Sequence, residues 1–310
     1  MKAISQTMYG GTEVLREVEL DRPTPAPSEV LVRVHAAGMN PTDWKHRQFS
    51  GLVGTLPLVL GWDVSGVVEA VGLGVTLHQV GDEVFGMLPY PHGVGSFAEY
   101  VVAPARALVR KPEGIDHVQA AAIPLAALTA WQALVDTAGL QPGQRVLIHA
   151  AAGGVGHFAV QIAKELGAYV IGTASAPKHG LLRELGADEL IDYRTEDFTG
   201  TDPVDLVLDT LGGDTATRSL KALKPGGKLV SIALSSLPED LPEQAAALGV
   251  RAYPLLVEAD QAGMRAISDL AVAGKLRAVI EATYPLEHAA KGHELGDTGR
   301  VTGKVVLTVS

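Results

Sequence analysis

The chain has 310 residues, no cysteine, a formal charge of −10 and 47% apolar residues, enough apolar material for more than one core. The missing cysteines exclude disulfides, thiolate nucleophiles and cysteine-built zinc sites. The negative charge lies along the chain without a basic block, which argues against nucleic acid or an anionic membrane and leaves a small molecule as the expected partner.

The start, MKAISQTMYGG, lacks the basic region and long apolar core of a signal peptide, and no apolar run reaches the roughly 20 residues of a membrane helix. A cytoplasmic protein is expected. Residues 1 to about 120 are rich in glycine and proline and carry short β-branched runs, Val30 to Val34, Val64 to Val71 and Val80 to Phe85, which predict an antiparallel β domain. Pro23, Pro25 and Pro27 make the approach to the first of these runs extended. From about Val118 an alanine- and leucine-rich texture predicts helix, with Pro124 as a break or a helix start.

Alternating units follow: strand 145–150, helix 155–167, strand 169–174, helix 178–186, strand 204–209, helix 214–223 and strand 227–233. Strands alternating with helices at this spacing predict a parallel sheet covered on both faces. Asp260 to Gly274 predicts one further helix, and Gly303 to Val309 a closing strand that returns to the first domain and makes it discontinuous. The expected division is 1–121 with 261–310 against 122–260.

The stretch VLIHAAAGGVG, Val146 to Gly156, joins a strand to a glycine turn and a helix. Aligned on Gly156 it is the dinucleotide fingerprint with Ala151 in the first glycine place, and bare backbone at Gly153, Gly154 and Gly156 lets a pyrophosphate approach amide donors. Binding of the NAD ribose calls for an acidic residue about 20 positions further on. Ser175 stands there, with Thr173 before it and Lys178 after it. A hydroxyl and an ammonium favour the 2′-phosphate of NADPH, although Lys178 also reads as an ordinary solvated lysine.

His149, in the first strand, reads as a hydrogen-bonded core histidine, and Trp131, at helical spacing from Leu128 and Leu134, as core packing. Tyr90 and His92 either touch a substrate or face water.

Several segments together resemble the medium-chain dehydrogenase/reductase superfamily, and within it the zinc-free quinone oxidoreductase branch that includes zeta-crystallin. They are GMNPTDWK at 38–45, LGWDVSGVV at 60–68, VGDEVFGM at 80–87, LTAWQAL at 128–134, the HAAAGGVG turn, LGADELIDY at 185–193, LKPGGKLVSI at 223–232 and TGKVVL at 302–307. The resemblance implies an α/β fold: a Rossmann doubly wound parallel-sheet domain plus a discontinuous GroES-like antiparallel β-barrel domain, with the active site in the cleft between them. Zinc-dependent members place a cysteine ligand near Asn40 and a histidine and glutamate in the segment matching Gly61, Trp62 and Asp63. They also carry a structural zinc lobe that is missing between Gly86 and Gly95, so no metal is expected.

The implied reaction is NADPH-dependent hydride transfer to an acceptor that is already electron-poor, a quinone or an α,β-unsaturated carbonyl. The resemblance assigns Ala152, Gly153, Gly154 and Val155 to the pyrophosphate, and Ser175, Lys178 and Tyr193 to the 2′-phosphate. Thr129, Leu211, Ile232 and Leu234 would line the nicotinamide half, and Lys304 would reach the cofactor from the final strand. Asn40 would lie by the nicotinamide and substrate, and Asp43 and Asp63 would brace loops. Lys45, where many relatives have tyrosine, would stabilise a developing enolate, contact the cofactor phosphate or remain a surface lysine, with water as the alternative proton donor. A homodimer is typical of the relatives. Two other functions stay open: an enoyl-thioester reductase of the same fold, and a protein that binds NADPH without turnover as a sensor or structural component.

Overall fold

The structure is a computed structural model that describes residues 1–53, 55–91 and 95–310. It divides into two compact units, Met1–Leu128 with Glu258–Ser310, and Thr129–Val257. The first division falls seven residues later than the alanine-rich texture predicts, because the Leu125 amide donates to Asp63 Oδ1 at 2.7 Å and ties the start of the helix Pro124–Trp131 to the first unit. Pro124 opens this helix, directly after the shorter helix His117–Ala122.

The first unit is built on a seven-stranded sheet whose central strand, Glu29–Met39, pairs antiparallel with Asp63–Val71, Tyr100–Pro104 and Lys304–Thr308. The closing strand therefore does return to this unit. It brings a parallel neighbour, Ile280–Pro285. A small sheet of Lys2–Gln6, Arg16–Glu19 and Leu58–Val59 lies beside it in the chain's first sixty residues. The strand predicted from Val80 begins only at Glu83, because Gly81, at φ +93°, makes a turn that leaves Val80 64% exposed.

The second unit is a six-stranded parallel sheet. Numbered within the unit, its strands lie in the order 3-2-1-4-5-6, the doubly wound arrangement of dinucleotide-binding domains. Strand 1 is Arg145–Ile148, strand 2 Tyr169–Thr173, strand 4 Val204–Asp209 and strand 5 Leu223–Ser231. The sequence pattern missed strand 3, Glu189–Ile191, and strand 6, Arg251–Pro254, which are short and only partly apolar. Strands 1 and 4 are neighbours, so the chain order reverses between them. Ligands of such sheets bind at that reversal, beyond the strands' carboxyl ends. Among the described residues no helix is long and apolar enough to cross a membrane.

Candidate active site

In the second unit, residues proposed for the cofactor follow the carboxyl ends of strands 1 to 5. After strand 1 the backbone turns sharply: Ala150 sits at φ +46°, a left-handed conformation that costs a side-chain-bearing residue energy. Its amide donates to Thr173 Oγ1 at 3.2 Å, and the Ala151 amide donates to the Thr173 carbonyl at 3.0 Å, so strand 2 holds the strained turn. The helix Gly156–Glu165 then begins. A Cβ on Gly156 would lie 2.4 Å from the Ala150 carbonyl oxygen and 2.7 Å from Ala151 Cα, so only glycine lets the helix start this close to the strand. Ala152 is buried, while Gly153, Gly154 and Val155 are half-buried at the start of the helix, the Gly153 amide donating to the Ala150 carbonyl at 2.8 Å. These residues fit a pyrophosphate.

His149 is the internal brace of this turn. Its Nε2 contacts Ser219 Oγ at 2.9 Å, and Ser219 donates its own hydrogen to the Thr215 carbonyl, so Nε2 carries the proton. Nδ1 then accepts from Thr173 Oγ1 at 3.2 Å. Burial pushes the ring's pKa down to about 4, and it packs edge-on against Phe198. It is a core histidine, as expected.

Beyond strand 2, Ser175 is buried and precedes a turn, Ala176–Lys178, that places Lys178 half-buried just before the helix His179–Glu184. Tyr193, after strand 3, is 58% exposed, and the Arg194 guanidinium lies 5.8 Å from its ring centre. The sequence reading missed Asp192, whose carboxylate accepts from the amides of Ala176 at 3.2 Å and Arg194 at 3.1 Å and so cross-links the two strand ends.

At the end of strand 4, buried Asp209 takes the Leu211 and Gly212 amides on Oδ1 at 3.0 Å each and the Ser231 hydroxyl on Oδ2 at 2.6 Å. This fixes the loop that carries Leu211, 50% exposed, toward the ends of strands 4 and 5. An acidic residue closing a strand just before Thr-Leu-Gly-Gly was the available sequence signal for it. Ile232 is half-buried and donates its amide to the Asp209 carbonyl at 3.0 Å, and Leu234 is 38% exposed. Thr129 is buried at this unit's first position. Trp131 is half-buried, not the core residue its spacing predicts.

The first unit holds the other expected residues, of which Asn40, Asp43, Asp63 and Lys304 form one buried network. Asn40 caps the helix Pro41–Gln48 and is 1% exposed. Its Nδ2 donates to Asp63 Oδ2 at 2.8 Å, and Lys304 Nζ donates to Asn40 Oδ1 at 2.5 Å and approaches Asp63 Oδ2 at 3.4 Å. Asp43 accepts from the Asn40 amide at 2.6 Å and the Gly61 amide at 3.1 Å, bracing both loops as expected. Burial pushes the Asp43 carboxyl up to about 8 against these amides. Burial also raises Asp63, opposed by the ammonium of Lys304, and lowers Lys304, opposed by Asp63 and Asp43.

Lys304, expected to reach the cofactor, is 2% exposed and its ammonium lies on Asn40 and Asp63 of its own unit. Lys45 is exposed on the helix Pro41–Gln48. Tyr90 is half-buried, stands edge-on to the buried Trp62 at 5.4 Å, and meets Thr42 Oγ1 at 3.3 Å. His92 lies outside the described residues.

With this geometry in place, the similarity to known proteins is specific. The model of the alcohol dehydrogenase GroES-like domain matches residues 26–113, and that of the zinc-binding dehydrogenase matches residues 185–307. The quinone oxidoreductase of Pseudomonas aeruginosa is 39% identical over 327 residues, covering 99% of each chain. The chloroplastic NADPH-dependent alkenal/one oxidoreductase of Arabidopsis thaliana is 34% identical over 320 residues, covering 99% of this chain and 79% of that one. The solved structure of the Coxiella burnetii quinone oxidoreductase superposes with a TM-score of 0.94 at 39% identity, covering 100% of this chain and 99% of the other.

Fold and site define a two-unit α/β oxidoreductase of the dinucleotide-binding type. The chain belongs to the medium-chain dehydrogenase/reductase superfamily, in its zinc-free quinone oxidoreductase branch.

Proposed function

We propose that this protein is an NADPH-dependent, zinc-independent reductase that delivers hydride to a quinone or to the β-carbon of an α,β-unsaturated carbonyl. The observation that carries the reading is the first unit's polar network. In the segments where zinc-dependent relatives place ligands, Asn40 and Asp63 bind each other and an internal cation, the Lys304 ammonium. With those side chains spent on one another, the acceptor has to be reactive toward hydride without a Lewis acid, which quinones and enones are. The names of the Pseudomonas and Arabidopsis relatives point to the same acceptors and, in the latter, to NADPH.

The bound nicotinamide supplies the hydride chemistry. Ala152, Gly153, Gly154 and Val155 hold the pyrophosphate, Ser175, Lys178 and Tyr193 the 2′-phosphate, and Thr129, Leu211, Ile232 and Leu234 the nicotinamide half. Asn40 acts by fixing the loop that leads into its helix, and Lys45 adds positive charge for the acceptor's developing oxyanion. Strand 6, Arg251–Pro254, is an edge strand of the second unit's sheet with no further strand paired to it among the described residues, which supports a homodimer. We place the activity in the cytoplasm, where a reductase can draw on an NADPH pool. Purified protein should consume NADPH with small quinones or enones. Activity confined to acyl thioesters would refute the substrate class.

A further inference from the structure

Reduction of a quinone or enone needs a proton as well as a hydride, and the Asn40, Asp63 and Lys304 side chains are buried and bonded to one another. The hydrogen bonds around Tyr90 have a fixed direction. His46 Nε2 accepts from the Leu52 amide at 3.1 Å, so the neutral ring carries its proton on Nδ1. Burial lowers the pKa of His46, with Lys45 lowering it further against the opposing Thr42 carbonyl, which favours that neutral form. Nδ1 lies 2.8 Å from the Thr42 carbonyl and 2.9 Å from Thr42 Oγ1, so its hydrogen points at Thr42. The Thr42 hydroxyl hydrogen is thereby turned toward Tyr90 Oη, 3.3 Å away. That distance is long for a hydroxyl pair, as is common before a substrate tightens a site. Tyr90 accepts here, which leaves its own O–H to point elsewhere. The ring is held edge-on by Trp62 at 5.4 Å, next in sequence to Asp63, while Thr42 follows Asn40 by two positions. Tyr90 itself is half-buried.

We propose that Tyr90 is the proton donor, its phenolic O–H aimed at the acceptor oxygen and held by Thr42 and His46. The inference rests on the reductase reading above. Hydride brings two electrons to the acceptor and leaves a negative oxygen, that of a hydroquinone monoanion or an enolate. The Tyr90 O–H bond breaks, an O–H bond forms on the acceptor, and the electron pair stays on the tyrosine oxygen, where the Thr42 hydroxyl donates to it. Water then returns the proton to Tyr90, and an enol product tautomerises in solution.

The test is Tyr90→Phe beside Thr42→Val, assayed with NADPH and a small quinone and a small enone. Tyr90→Phe should lower kcat roughly 100-fold, in the range of positioned acid catalysis, with NADPH affinity and melting unchanged. Small phenols or acidic buffers should restore part of the loss, and the solvent deuterium isotope effect on kcat should rise as protonation becomes limiting. Thr42→Val should cost roughly tenfold in kcat at unchanged KM, the value of one hydrogen bond to a developing anion. A Tyr90→Phe kcat within about twofold of wild type, without rescue, overturns the donor assignment and leaves the reductase reading standing. Failure of the wild type to oxidise NADPH with any quinone or enone overturns both.

Discussion

Replacing Lys304 by methionine removes the ammonium from a network in which Asp63 is 0% and Asn40 1% exposed. At the observed Nζ–Oδ2 distance of 3.4 Å, the Coulomb attraction is about 5 kcal/mol at an effective dielectric of about 20. The variant loses this attraction but keeps a buried carboxyl with no cation, a situation that costs about 3–5 kcal/mol in comparable cases. At roughly 2–4 °C per kcal/mol for a unit of this size, melting of the first unit should fall by about 6–20 °C. Adding Asp63→Asn should recover at least half of that, because the uncompensated acid is then gone. Differential scanning calorimetry reads both variants. The NADPH dissociation constant, measured by protein fluorescence, should stay within about threefold, since Lys304 spends its charge inside its own unit. A melting change below about 2 °C, or additive losses in the double variant, would refute the ion-pair argument. A large loss of NADPH affinity at unchanged stability would return Lys304 to the cofactor.

Lys178→Ala should weaken NADPH roughly 10–100-fold and NADH little, by equilibrium titration with both cofactors; equal losses would dismiss the 2′-phosphate assignment. Gly156→Ala forces a Cβ to 2.4 Å from a backbone oxygen, so it should lower both the melting temperature of the second unit and NADPH affinity, whereas Gly180→Ala, with open space around its Cβ, should do neither. His149 and His293 have pKa values pushed by burial down to about 4 and about 3 from 6.5, so each contributes stability that is present above 6.5 and lost as pH falls toward the folded value. By pH 5 the loss should reach about 2 kcal/mol per ring. His293, with neither ring nitrogen hydrogen-bonded among the described residues, is the clearer case: His293→Leu should flatten the acid limb of the first unit's melting curve between pH 7 and pH 5.

The sequence made the second unit legible because strong apolar runs, glycine turns and amphipathic helices all repeat there at βαβ spacing. What it hid were strands too short or too polar to show a period, Glu189–Ile191 and Arg251–Pro254. In the first unit, Glu29–Met39 runs past the visible Val30–Val34 pattern because His35, Ala36, Ala37 and Gly38 carry no β signal of their own and are placed by pairing with the closing strand. The residues proposed for the cofactor, Thr129 in its helix apart, follow strand ends at countable distances, which is why a linear pattern could nominate them. The acceptor side was not legible in this way. Tyr90 meets a threonine 48 positions earlier, and Lys304 an asparagine 264 positions earlier, and neither contact leaves a local pattern. Lys304 sits in a recognisable TGKVVL segment, yet only the fold reveals that its ammonium turns inward.

Hydride delivery is tested most directly with NADPH carrying deuterium on the transferring carbon of its nicotinamide ring, the purified protein, a chelator and a small enone. Stoichiometric NADPH oxidation and a saturated ketone labelled at the β-carbon are the expected result. NADPH that binds but is not consumed with any quinone, enal or enone would contradict it and leave a cofactor-binding protein without turnover.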